Sequence, residues 1–148
     1  MAGTTTTPVG ALRVIGLCVP WERAHVSTGR KDRQPWQDHI AYLHVLLACP
    51  DVTNPKLPTL ILGDFNQTIP SRRAPLEAQE LLQELLNIYA PATRANPERR
   101  MVYHILTSPE LHTDSVEELP AMDDARRLSD HYGERIFLQL QGRTGGEN

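Results

Sequence analysis

The stretch Leu60-Ile61-Leu62-Gly63-Asp64-Phe65-Asn66-Gln67 decides how this chain is read. With Thr59, its first three residues form a short apolar run whose side chains would point to both sides of an extended backbone, which predicts a fully buried strand. Asp64 and Asn66 then stand as polar acceptors at the carboxyl end of that strand, a place where loops carry chemistry. Alone, the tetrapeptide Gly63 to Asn66 also fits a plain turn in which glycine bends the chain and Asp and Asn bond their own backbone.

The flanking sequence supplies the layers around this strand. Residues 12–19 are β-rich and almost continuously apolar, which predicts a second strand covered on both faces and ended by Pro20. A polar, basic loop over residues 21–34 carries Arg23, His25, Arg30, Lys31 and Arg33. Pro35 opens a helix in which Trp36, Ile40, Leu43 and Leu47 recur at helical spacing, Asp38 suits the positive first turn, and Pro50 closes the segment. Residues 51–58 read as a connector. A second helix starts near Pro75, with Ala78, Leu82, Leu85 and Tyr89 as its inward stripe.

After a basic loop at 92–100, residues 101–107 predict a third strand and residues 111–116 a weak one. Residues 117–128 read as charged and irregular, and in a last strand Ile136, Leu138 and Leu140 share one face. The expected organisation is a flexible lead at 1–10, one domain at 11–141 and a frayed tail at 142–148. The fold class is α/β of the α+β kind, a mainly antiparallel sheet flanked by helices.

Composition narrows the classes without choosing a function. The 148 residues are 40% hydrophobic and 22% charged, as in a soluble globular domain, and a net charge of −3 argues neither for nor against nucleic acid or membrane surfaces. Apolar runs fall far short of the ~20 residues a membrane-spanning helix needs. Residues 1–8 lack a basic start and an apolar stretch, so no secretory signal is expected and the default compartment is cytoplasmic. Cys18 and Cys49 show neither metal nor disulfide spacing and are expected as reduced core residues. His25, His39, His44 and His112 stand in no ligand spacing and receive no role.

A second polar cluster, Ser129-Asp130-His131, sits just before the last strand. By itself it also fits an Asp turn beside a surface histidine. If one sheet brings both clusters to one rim, two Asp, an Asn and a His would offer oxygen and imidazole donors for a hard divalent cation such as Mg2+, plus an amide for an anionic oxygen. Hydrolysis of a phosphate ester needs those elements: neutralised phosphoryl charge, an aimed water and a proton acceptor.

The residues 60–66 and 128–131, in this order, resemble the motifs of the endonuclease/exonuclease/phosphatase superfamily, the DNase I-like fold. Residues 104–109 resemble its penultimate core strand, and Val19-Pro20-Trp21 resembles a bacterial branch. The resemblance covers most of residues 12–140 and implies part of a four-layer α/β-sandwich. It further implies a metal-dependent phosphoesterase, using Mg2+ or Mn2+, acting on a phosphate ester such as nucleic acid, a nucleotide, an inositol phosphate or a lipid head group. By the same resemblance, Asp64 would orient or deprotonate the attacking water and share the metal. Asn66 would hold a phosphate oxygen, His131 would stabilise charge on the transferred phosphoryl group, and Asp130 would bind the metal.

Departures from the family pattern give a rival expectation. The family carries an Asn and a metal-binding Glu on strands before this region, so the chain corresponds to a carboxyl-terminal portion. Tyr103 stands where the family has an Asp that orients the catalytic histidine, and a phenol cannot supply that carboxylate's charge. Cys18 and Trp21 stand at positions of a family Tyr and Asn. A catalytically silent scaffold or interaction module is therefore the alternative function. Half a sandwich would also leave an apolar sheet face open, which predicts association or marginal stability.

Overall fold

The computed structural model describes residues 1–8, 10–93, 101–129 and 132–140. Strands and helices follow in the order β1 (Ala2–Thr7), β2 (Gly10–Cys18), α1 (Gln37–Leu47), α2 (Pro50–Thr53), β3 (Thr59–Asp64) and α3 (Leu76–Leu86). The remainder is all strand: β4 (Ala90–Pro91), β5 (Tyr103–Thr107), β6 (Leu111–Leu119), β7 (Met122–Asp123), β8 (Arg126–Arg127) and β9 (Gly133–Leu140). A five-stranded sheet has the order β1-β2-β3-β5-β4; β6 pairs with β9, and β7 with β8. One pairing in the large sheet, β2 with β3, is parallel and the others are antiparallel, so the sheet is mixed and the expected mainly antiparallel α+β class holds.

The core lies between one face of this sheet and the helices. Ile15, Ile61 and Leu106 project from neighbouring strands onto Leu43 of α1 and Leu81, Leu82 and Leu85 of α3. The inward stripe of α3 is the expected one: Ala78, Leu82, Leu85 and the following Tyr89 are all buried. The Tyr89 hydroxyl donates to the Val52 carbonyl (2.7 Å), tying the end of that stripe to α2.

Several local expectations are corrected. The lead at 1–10 is a strand over Ala2–Thr7, because threonine's branched Cβ favours extended backbone and β2 offers a free edge. Pro50 does not merely end α1; it occupies the first turn of α2, where its missing N–H costs nothing. Cys18 and Cys49 are exposed rather than core, one at the end of β2 and the other between α1 and α2. Residues 117–128 contain the end of β6 and the β7–β8 pair. β2 and β3 are covered fully on one face only: Ile15 and Ile61 are buried, whereas Leu12, Val14, Leu60 and Leu62 of the opposite face remain half-buried. Asp130, His131 and the tail at 142–148 lie outside the described residues, as does most of the loop at 92–100.

Gly63 couples the fold to the turn that follows β3. Its φ of 143° belongs to backbone that side chains avoid, and a Cβ there would collide with the Leu17 carbonyl oxygen of the parallel neighbour. Gly63→Ala is expected to lower stability by about 2 kcal/mol or more, since it adds both strain and a backbone clash. The midpoint of urea unfolding measures this.

Candidate functional site

Parallel pairing of β2 with β3 sends both strand ends to the same rim, and antiparallel β5 begins there. In register, Cys18, Asp64 and Tyr103 are neighbours across the three strands. Asp64 is half-buried, and its Oδ1 accepts the Asn66 backbone N–H (2.8 Å). Asn66 adopts a left-handed conformation, φ 50°, which asparagine tolerates better than most residues. Its Nδ2 donates to the Val19 carbonyl (2.9 Å), the Val19 N–H donates to the Asp64 carbonyl (2.8 Å), and the Phe65 N–H donates to the Val102 carbonyl (2.8 Å). The turn is thus laced to both flanking strands, and Phe65 is buried beneath it.

Behind the turn lies a buried polar network that the sequence reading missed. His39 of α1, given no role there, has no exposed surface; its Nδ1 lies 2.8 Å from the Pro20 carbonyl and its Nε2 lies 2.8 Å from Gln67 Oε1. Gln67 Nε2 donates to Ser71 Oγ and to the Ala78 carbonyl, each at 3.0 Å. On the opposite side, His104 Nε2–H donates to the Gln67 carbonyl (2.9 Å), and its ring meets Phe65 edge-on. Burial pushes the His104 imidazole below its ordinary pKa, against the smaller raising effects of that hydrogen bond and of the Asp64 charge. A polar residue on an otherwise apolar helix stripe, as His39 is between Trp36 and Leu43, was the available signal.

A groove is lined by Leu62 and Gly63 of β3 and Tyr103, His104 and Ile105 of β5, together with Tyr132, Gly133 and Glu134. Tyr132 and Gly133 directly follow the second sequence cluster, so its immediate neighbours meet those of the first. Asp130 and His131 themselves fall outside the described residues. Glu134 was not anticipated: its Oε2 is buried with no hydrogen-bond partner among the described residues, and burial, then the facing Glu118, raises its pKa.

The basic loop after β2 folds back onto α1. Asp38 receives His25 Nδ1 (2.6 Å) on one oxygen and Arg33 Nε (2.9 Å) on the other. The His25 hydrogen bond, with Arg33 adding charge, holds the Asp38 carboxyl below its usual range. Arg30 pairs with Asp32 (3.5 Å). Among the described residues, no three His, Cys, Asp or Glu side chains converge on a cation position, and Asp64 is the described carboxylate of the expected metal pair.

No family model and no curated protein matches the chain. Two solved structures are similar to it. One is a conserved protein of unknown function from Enterococcus faecalis, 18% identical, with a TM-score of 0.63 over 94% of this chain and 55% of that one. The other is a mannosyl-6-phosphatase from Bacteroides thetaiotaomicron, 14% identical, with a TM-score of 0.45 over 88% of this chain and 51% of that one. The first establishes a shared fold. The chain spans about half the length of both.

Because the buried His104 ring favours its neutral form, the unfolded chain takes up a proton before the folded one as pH drops below about 6.5. Stability contributed by the neutral ring is therefore complete above that pH and declines as pH falls toward the lower, folded value. Unfolding midpoints measured from about pH 8 to about pH 5 should fall more steeply for the wild type than for His104→Gln.

Proposed function

We propose that the chain is part of a metal-dependent phosphoesterase, a nuclease or phosphatase, of the endonuclease/exonuclease/phosphatase superfamily. The observation that carries the reading is the shared groove: Tyr132 and Gly133, which follow Asp130 and His131, line it together with Gly63 and Tyr103. A single rim is what the two motifs need in order to act on one phosphate.

The proposed division of labour follows the donors. Asp64, its backbone pinned and one carboxylate oxygen held by the Asn66 N–H, is presented rigidly enough to aim a water or accept its proton. Asn66 has one amide hydrogen on Val19, leaving the second for a phosphate oxygen. His131 would neutralise charge on the phosphoryl group. The carboxylates of Asp64 and Asp130 are hard oxygen donors that fit Mg2+, or Mn2+, which when bound would offset phosphoryl charge. The half-buried second face of the sheet, with Leu60, Leu62 and Ile105, suits association with further polypeptide.

A second reading, a silent scaffold that keeps an anion-binding rim, is favoured by Tyr103. It stands beside Asp64 where the family's orienting carboxylate belongs. Mg2+-dependent nicking of plasmid DNA and turnover of a chromogenic phosphodiester separate the two. Asp64→Ala and His131→Ala are expected to reduce hydrolysis by about a hundredfold or more. Hydrolysis indifferent to both substitutions would sink the phosphoesterase reading.

A further inference from the structure

The turn after β3 is held by a side chain that takes no part in the proposed reaction. Gln67 is buried, and residues from four places grip it: His39 on α1, Ser71, Ala78 on α3, and His104 on β5. Gln67 lies three residues after Asp64 and next to Asn66, so fixing it fixes where the turn ends.

We propose that His39 is the positioning residue of this site, gripping the Gln67 amide and thereby holding the turn that presents Asp64 and Asn66. Calling it a site rests on the phosphoesterase reading; the clamp itself does not.

The Ala78 carbonyl accepts, so the Gln67 atom 3.0 Å from it is the amide nitrogen, and the amide oxygen faces His39 Nε2. Turning the Gln67 amide over would set its oxygen against the Ala78 carbonyl, two acceptors facing each other in a buried place. The other ring nitrogen, Nδ1, lies 2.8 Å from the Pro20 carbonyl, so one side chain ties the segment after β2 to the turn after β3.

His104, from β5, reaches the same residue through its own N–H to the Gln67 carbonyl, so His39 and His104 grip Gln67 from two sides.

Amide hydrogen exchange of the wild type, His39→Leu and His39→Gln tests this. In His39→Leu the hydrogen-bonded amides of Val19, Phe65 and Asn66 should exchange about tenfold to a hundredfold faster, with those of α3 unchanged. His39→Gln keeps a donor for Gln67 and should restore most of that protection. Turn amides that do not respond, or equal acceleration throughout the chain, would overturn the proposal. If His39→Leu does not fold, His39→Asn, polar but too short to span to Gln67, takes its place with the same expected and overturning outcomes. Every measurement omits metal and substrate, so absence of hydrolysis would count against the phosphoesterase reading and leave the clamp standing.

Discussion

The parallel contact between β2 and β3 is the constraint on which the remaining geometry depends. At Leu17 and Gly63 the two backbones come so close that no side chain fits between them. This approach places the ends of both strands at one rim, where Val19 bonds to Asp64 and Asn66. The turn is consequently part of the sheet's hydrogen-bond system rather than an appendage to it. A residue in such a turn keeps its orientation at little conformational cost.

Burial reinforces that constraint from beneath. Phe65 enters the core while Asp64 and Asn66 on either side keep polar contacts, so the turn cannot rotate without exposing an aromatic ring. Beneath it, the polar groups of His39, Gln67 and His104 are matched donor to acceptor, and a buried network satisfied in this way specifies one arrangement more sharply than apolar packing does.

Much of this was legible in the sequence where period and burial coincide. The run at 59–62 and the stripe Ala78, Leu82, Leu85 and Tyr89 announced themselves because a fully buried strand and a one-sided helix leave unambiguous spacing. The strand at 2–7 did not, since a threonine run carries no apolar alternation, although it pairs in a hairpin with the very next strand. Cys18 was misread because residues at a strand's end can be apolar yet uncovered. The rim residues Asp64 and Asn66 were visible as a pattern. The His39–Gln67 contact was not, because 28 residues separate its partners and no local spacing records a side chain reaching across from a helix.

The same threonine run has a further consequence. β1 is an outer strand of the large sheet, exposed along most of its length, and its residues Ala2–Thr7 include no lysine, proline or other charged guard. Its outward amide and carbonyl groups form an open template, so the sheet can be extended from that side by any extended peptide that finds it, including another molecule of this protein.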